Sequence, residues 1–409
     1  VIGSVAIVGA SAAGVAAATT LRDEGYEGEI TLIGGETDLP YERPAVSKDI
    51  LLTGAAPPII PEQRYAELNI KLLLGTRAER IDARYGQIEL SDGRTMVSDR
   101  LLLATGGWPR RLPVPGAELG GLHYVRDARD GQAIRSGLRP GARIAVVGGG
   151  LIGAEVAASA VQAGCEVDWI EAEGLCLARA LSRPLAEAMM DVHRQRGVRV
   201  HANALVVRLI GERSVQAVEL ADGRRIDADM VVVGIGITPA AELAEEADLT
   251  VSDGIVIDPF CRTSAENVYA AGDVARHQTR YMATPSRLEH WRNAQEQGVT
   301  AARAMLGHRQ PYDELPWFWT DQYDLHIEGC GVMRADDETI LRGNLADGNA
   351  TVFHLRAGSL VGACALNRQG DVRGAMRLIT RGLTPSADIL SDPTKDLRKI
   401  EKELSRASA

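Results

Sequence analysis

Lysine is nearly absent from this chain. Of the 45 basic residues in 409, only five are lysines, and Lys395, Lys399 and Lys402 lie near the end, so Lys48 and Lys71 stand alone in the body. Cysteine is scarce too. The five, at positions 165, 176, 261, 330 and 364, form no C-x-x-C or other close pair, which argues against a disulfide scaffold and a cysteine-rich zinc or iron–sulfur centre. The eight histidines show no metal-ligand spacing, so no metal is expected. No stretch approaches the roughly 20 uninterrupted apolar residues of a membrane span. The apolar run after Val5 lacks a charged leader and reads as a strand and turn, not a signal peptide, which makes the cytoplasm the expected address. Basic charge is in deficit, 45 against 55 acidic residues for a net −10, the opposite of a nucleic-acid-binding footprint. A local basic patch for an acidic protein partner stays compatible with that balance.

What the chain does contain is a duplication. Residues 4–14 read SVAIVGASAAG and residues 143–153 read RIAVVGGGLIG. Each is a β-branched run closing on glycines, followed by an Ala-rich helical stretch and a second strand, EITLIG (Glu29–Gly34) or EVDWIE (Glu166–Glu171). Strand, tight turn, helix and parallel strand within about 30 residues form a βαβ unit, the seed of a doubly wound sheet. Two copies predict two nucleotide-binding domains. Each is followed by short strands with a DGR triplet, Asp92–Arg94 or Asp222–Arg224, that suits a hairpin tip. Pro109–Pro115 reads as a connector. From about Pro311 the character changes: PWFWTDQYD (Pro316–Asp324) carries four of the chain's 17 aromatic residues, strand-like runs follow to about Met376, and the tail after Pro385 is polar.

The first turn, Gly9-Ala10-Ser11-Ala12-Ala13-Gly14, places Ser11 where the dinucleotide fingerprint has its second glycine. Gly9 permits the tight turn, Gly14 lets helix and strand pack closely, and a small residue at 11 lets backbone approach a pyrophosphate at the helix N-terminus. On its own this turn fits a ligand-free βα turn equally well. The second turn, Gly148-Gly149-Gly150-Leu151-Ile152-Gly153, satisfies the full pattern, and Glu171 ends the next strand where an acceptor for a ribose hydroxyl belongs. No Arg or Lys occurs in the seven residues after Glu171, and Glu173 adds negative charge. A carboxylate about 4 Å from a 2′-phosphate opposes it by roughly 1–4 kcal/mol, so NAD is favoured over NADP.

LLLATG (Leu101–Gly106), VVVGIGITP (Val231–Pro239) and VYAAGDVA (Val268–Ala275) follow in order, and with them the chain resembles two-dinucleotide flavoproteins of the glutathione-reductase type. LPYERPAVSK (Leu39–Lys48), RLEHWRNA (Arg287–Ala294) and PWFWTDQYD narrow the resemblance to NADH-dependent, putidaredoxin-reductase-like ferredoxin reductases serving cytochromes P450 and ring-hydroxylating dioxygenases. The similarity runs from Ser4 to about residue 395.

The resemblance implies FAD at the first turn (Gly9, Ser11, Ala12, Ala13, Gly14) and NAD at the second (Gly148, Gly150, Leu151, Ile152, Gly153). It implies that Glu36 contacts the adenosine ribose and that Arg43 and Lys48 lie along the FAD. Ala104, Thr105, Gly106 and Arg126 add contacts, Gly272 and Asp273 sit by the ribityl and pyrophosphate portion, and Trp291 lies beside the flavin. Glu155 matches a carboxylate near the nicotinamide, Arg179 an arginine that helps hold NAD, and Gly236 a close backbone approach to it. Lys48, Glu155 and Trp291 are therefore the candidate catalytic residues, Lys48 by offering a fixed positive charge to reduced flavin. Plain structural readings stand beside these: a turn carboxylate for Glu36, a surface lysine for Lys48, a solvent-facing helix carboxylate for Glu155, core packing for Trp291, Trp317 and Trp319. Nothing in the sequence accounts for Trp108, and His290 receives no role.

Disulfide reductases of this superfamily place a redox cysteine pair in the first domain, whereas no cysteine here precedes Cys165 and residues 40–50 read PYERPAVSKDI. Electrons reaching FAD must leave by another route. The expectation is an α/β flavoprotein with two Rossmann-like domains, FAD at 1–110 and 244–315 and NAD at 111–243, plus a C-terminal α+β domain at 316–409. Hydride from NADH would pass to FAD and leave as single electrons to a small iron–sulfur ferredoxin docking near the C-terminal domain, with Arg287, Arg292 and Arg309 as a basic rim. Rubredoxin reductase, thiol or peroxide reductase, and an apoptosis-inducing-factor-like flavoprotein with weak turnover are the alternatives. Monomer and homodimer are both compatible with the sequence.

Overall fold

The computed structural model describes residues 2–407. It divides into two compact units: one comprises the described residues up to Pro44 with Ala56–Trp108 and Ile237–Pro316, the other Ala45–Ala55, Pro109–Gly236 and the described residues from Trp317 onward. Among the described residues no helix is long and apolar enough to cross a membrane.

The first unit is built on a five-stranded parallel sheet in the order Val268–Ala270, Arg100–Leu103, Ser4–Val8, Glu29–Ile33, Ile70–Leu73. SVAIV at its centre is buried almost throughout, as a strand covered on both faces must be, and this explains a continuous apolar run where a half-exposed strand would alternate. Helix Ala12–Asp23 follows the first strand and lies against helix Trp291–Met305. The contact is close because Gly298 has no Cβ; one built there would strike the Ala13 carbonyl.

The second unit repeats this plan. Its parallel sheet runs Leu122–Tyr124, Met230–Val233, Arg143–Val147, Glu166–Ile170, Arg199–His201, with the βαβ strand again central. A three-stranded antiparallel meander lies between corresponding strands of each copy: Ala78–Asp82, Gln87–Leu90 and Thr95–Val97 in one, Val206–Gly211, Val215–Leu220 and Arg225–Asp227 in the other. The DGR triplets form the same turn twice. Gly93 and Gly223 have φ of +82° and +84°, and Asp92 and Asp222 each hold the following arginine by an ion pair, at 2.5 and 2.7 Å.

The second unit also carries a five-stranded antiparallel sheet, Trp317–Gln322, Leu325–Gly331, Ser359–Leu366, Asn349–Arg356, Glu338–Asn344, with helix Gln369–Thr380 against it. Strand Trp317–Gln322 packs on helix Leu151–Gln162. The short excursion Ala45–Ala55 belongs here as well: Ser159 Oγ donates to the Ser47 carbonyl at 3.1 Å and Gln132 Nε2 to the Gly54 carbonyl at 2.5 Å. The architecture is thus α/β, with two parallel Rossmann-like cores and a C-terminal antiparallel sheet, as the sequence leads one to expect.

Candidate active site

The two glycine turns are built to one design. Gly9 and Gly148 have φ of +124° and +114°, and a Cβ on either would collide with a carbonyl on the neighbouring strand's end, Ala104 or Gly234. A Cβ on Gly14 or Gly153 would meet the carbonyl of Gly9 or Gly148. These four glycines are required by the protein's own packing. Gly150 is different. Its backbone is extended, φ −80° and ψ −178°, and a Cβ there would meet nothing within 4 Å. The fold makes no demand for glycine at 150; a ligand backed against the turn would. Ser11 is the equivalent residue of the first turn, also extended, and its hydroxyl does not cap the helix it opens.

Neither helix Ala12–Asp23 nor helix Leu151–Gln162 has a side-chain cap. Helix Ala128–Gly137, by contrast, is closed by a full Asp127/Asp130 capping box. The first N–H groups of an α-helix have no partner within it, so both glycine turns present donors and the positive end of a helix dipole, the combination that suits a pyrophosphate.

In the second turn Glu171 is already oriented. Gly149 N–H donates to Oε2, and Glu173 N–H donates to Oε1 at 2.7 Å. The carboxylate lies over the turn as an acceptor for a ribose would. The loop beyond is tied back by Leu177 N–H to the Gly149 carbonyl at 2.6 Å; it carries the exposed Arg179. Leu151 is half-buried and Ile152 is 41% exposed, a large apolar side chain left uncovered beside the turn. Gly236 is exposed with φ +99°.

In the first unit Glu36 receives two donors, Tyr41 Oη and Arg43 Nη2, each at 2.6 Å. Burial opposes the charge of Arg43, but Tyr41, Glu36 and Asp273 outweigh it and leave its pKa raised. Gly272 has φ +83°; a Cβ built there would lie 3.4 Å from the Cβ atoms of Ala13 and of Ala294, and its N–H donates to Gln297 Oε1 at 2.8 Å. Gly272 and Asp273 are thereby held at the start of the first helix. Thr105 Oγ donates to the Ala240 carbonyl at 2.7 Å, and Gly106 turns with φ +70°. Trp291 opens its helix and packs against the first core, with His290 as the preceding cap residue. Arg126 stands in the second unit, just ahead of the capping box, its N–H on Asp130 at 2.9 Å.

Lys48 and Glu155 meet. Lys48 Nζ lies 3.2 Å from Glu155 Oε1 and 3.7 Å from Asp321 Oδ2, and 5.9 Å from the ring centre of Trp319. Glu155 is only 5% exposed and takes two further donors, Ser47 Oγ at 2.5 Å and Thr320 Oγ at 2.7 Å. A buried carboxylate needs such partners. Ser47, Thr320 and Asp321 escaped the sequence reading, since nothing local marks them; strand Trp317–Gln322 and excursion Ala45–Ala55 bring them to helix Leu151–Gln162. Trp317 and Trp319 stack with centres 5.3 Å apart.

One expectation fails. Arg287 is not a rim residue: its side chain is 6% exposed and bonds Glu289 at 2.9 Å, the Asp273 carbonyl at 3.1 Å and Asp253 at 3.4 Å. It braces the Asp273 loop. Arg292 and Arg309 are more accessible. Trp108, unassigned in the sequence, gains a place: its Nε1 donates to Glu242 at 2.8 Å and the Arg77 guanidinium lies 5.7 Å over its ring. All five cysteines are buried and unpaired, and burial raises every thiol pKa, Cys176 and Cys364 to about 12. None is a ready thiolate nucleophile.

Two dinucleotide cradles joined to a reductase-type antiparallel domain define an oxidoreductase. Residues 3–298 match the pyridine nucleotide-disulphide oxidoreductase family and residues 317–401 the family described as reductase C-terminal. The chain belongs to this pyridine nucleotide-disulphide oxidoreductase family. It is 39% identical to the anthranilate 1,2-dioxygenase system ferredoxin–NAD(+) reductase component of Burkholderia cepacia, over 96% of this chain and 98% of that one. It is 36% identical to putidaredoxin reductase CamA of Pseudomonas putida, over 97% and 96%. Among solved structures, the covalent putidaredoxin reductase–putidaredoxin complex superposes with a TM-score of 0.94 at 35% identity, covering 98% of this chain and 99% of that one.

Proposed function

We propose that the protein is an FAD-dependent NADH–ferredoxin reductase that supplies single electrons, through a small iron–sulfur ferredoxin, to a cytochrome P450 or ring-hydroxylating dioxygenase. The observation that carries this reading is the paired cradle: two glycine turns of one geometry, each opening an uncapped helix, each with a carboxylate in place for a ribose. When bound, NADH would supply a hydride, and FAD the chemistry that links a two-electron donor to a one-electron acceptor. The chain's part is binding, orientation and electrostatics. Relatives named as ferredoxin–NAD(+) reductase components, and the likeness to a reductase–putidaredoxin complex, support a ferredoxin as acceptor.

The residues present fit both groups. In the first cradle Gly9, Ser11, Ala12, Ala13 and Gly14 offer backbone N–H groups to a pyrophosphate, Glu36 accepts from a ribose, and Arg43, Ala104, Thr105, Gly106, Gly272 and Asp273 line the remainder. Arg126, Lys48 and Trp291 retain the flavin roles inferred from the sequence. In the second, Gly148, Gly150, Leu151, Ile152 and Gly153 form the turn, Glu171 takes the ribose, and Arg179 and Gly236 flank it. Glu155 orients the nicotinamide, and Lys48 supplies positive charge that favours reduced flavin. The domain roles belong to this reading: FAD on 1–110 and 244–315, NAD on 111–243, and the protein partner docking near the C-terminal α+β domain, 316–409. The reading implies a cytoplasmic enzyme, where NADH is regenerated.

The thiol-reductase alternative is disfavoured by the five buried thiols. The test is steady-state reduction, with NADH, of a [2Fe–2S] ferredoxin, a rubredoxin and a disulfide in parallel. Fast reduction of the ferredoxin alone is expected. Preference for the rubredoxin would move the acceptor, and disulfide reduction or a long-lived complex with negligible transfer would overturn the reading.

A further inference from the structure

His326 reaches the Lys48–Glu155 pair through one carboxylate. Its Nδ1 lies 2.5 Å from Asp321 Oδ1, and the other oxygen of Asp321, Oδ2, lies 3.7 Å from Lys48 Nζ. Its Nε2 lies 3.0 Å from Glu328 Oε1. The placement is a consequence of register: Asp321 stands directly opposite His326 across the antiparallel pair, and Glu328, two residues on, shares its face. The register is pinned at that point, because His326 N–H donates to Asn367 Oδ1 at 2.9 Å and Asn367 N–H to the His326 carbonyl at 2.8 Å.

A neutral imidazole has one N–H and can donate to one carboxylate only; two ionised carboxylates on the two nitrogens are satisfied together by the imidazolium. We propose, resting on the function above, that His326 is a positioning residue for flavin reduction: as an imidazolium it fixes Asp321, and Asp321 sets how firmly Lys48 is held to Glu155.

The charged groups in contact with His326 are Asp321 on strand Trp317–Gln322 and Glu328 on its own strand, with Lys48 beyond Asp321. Strand Ser359–Leu366 leads to the uncharged Asn367, and helix Gln369–Thr380, which also packs on the strand of His326, carries Arg373, Arg377 and an Asp371 engaged by Arg342, Arg368 and Thr351. Burial works against the charged ring, but the hydrogen bonds and charges of Glu328 and Asp321 outweigh it, so the imidazolium persists above the ordinary histidine range. When the proton leaves at higher pH, one carboxylate loses its donor. An Asp321 freed from His326 competes with Glu155 for Lys48, and the charge presented to the reacting rings shifts.

The test is anaerobic rapid-mixing reduction of the holoprotein by NADH between about pH 6 and 9, through the histidine range. The limiting rate should fall about threefold to tenfold in one step on the alkaline side of an ordinary imidazole, with NADH affinity unchanged. His326→Gln and, independently, Asp321→Asn should each give a flat profile; if His326→Gln does not fold, Asp321→Asn alone decides. A flat wild-type profile, or a step that survives in either variant, overturns the role of His326 while leaving the NADH-reductase reading intact. A flavin that NADH reduces at no pH overturns both.

Discussion

Lys48 and Glu155, 107 positions apart in the chain, form a 3.2 Å ion pair in the second unit. The sequence assigns them to different cofactors, the lysine to flavin and the carboxylate to nicotinamide. The structure joins them, so neither charge acts alone. Replacing either one leaves the other, a half-buried Lys48 or a buried Glu155, without its main counter-charge.

The pair should therefore be strongly coupled. Lys48→Met and Glu155→Gln should each slow flavin reduction by NADH about tenfold or more, and the double variant should be far less than additive, with a coupling of about 1–3 kcal/mol. A double-mutant cycle on the limiting reduction rate measures it. Additive effects would mean that the two residues serve separate steps.

Gly150→Ala separates fold from ligand. The backbone there is ordinary for alanine and the added methyl meets no protein atom within 4 Å, so thermal stability should change by less than about 0.5 kcal/mol. NADH affinity should drop at least about tenfold if, as proposed, the pyrophosphate backs against this turn and the methyl takes its space. Gly148→Ala should instead destabilise the protein itself, since φ is +114° and the Gly234 carbonyl stands in the way. Melting curves beside NADH binding distinguish the two.

Glu171, proposed as the acceptor for the NAD ribose, should set the nucleotide preference. Glu171→Gln retains the shape while removing the charge that repels a 2′-phosphate, and should narrow the NADH-over-NADPH ratio of kcat/KM about fivefold to a hundredfold, chiefly through NADPH. An unchanged ratio would remove Glu171 from that role.

Acid should destabilise the second unit through His193. This ring is fully buried between Gln322 Oε1 and Tyr323 Oη, both at 2.9 Å, and burial pushes its pKa down to about 4. The folded state therefore holds a neutral ring while the unfolded chain takes up a proton near pH 6.5. Stability is intact above the unfolded value and declines as pH falls from about 6.5 towards 4, by roughly 3 kcal/mol in all. Denaturant midpoints across that range should show the slope, and His193→Gln should flatten it.

Much of the architecture was legible because it is written locally and twice. Glycine turns, β-branched runs and DGR tips each carry their own stereochemical reason, and the structure adds that the copies share the order of four strands, the fifth being Val268–Ala270 from after one copy and Leu122–Tyr124 from before the other. Long-range polar partners were not legible. Thr320 lies 165 positions from Glu155, and Asp321 reaches Lys48 only through the register of an antiparallel pair. Arg287 illustrates the converse error: an arginine in a basic-looking segment was read as a surface charge, whereas three oxygen partners hold it inside the Asp273 loop. Trp108, silent in the sequence, became intelligible only when Glu242 and Arg77 appeared beside it.

The central claim is that the two cradles hold FAD and NADH and pass electrons from one to the other. An anaerobic titration of the purified holoprotein with NADH, and separately with NADPH, following the flavin absorption bands, tests it most directly. The account predicts that the bands bleach near one equivalent of NADH while NADPH acts far more weakly. A protein that takes up no FAD, or a flavin that NADH leaves oxidised, would contradict it.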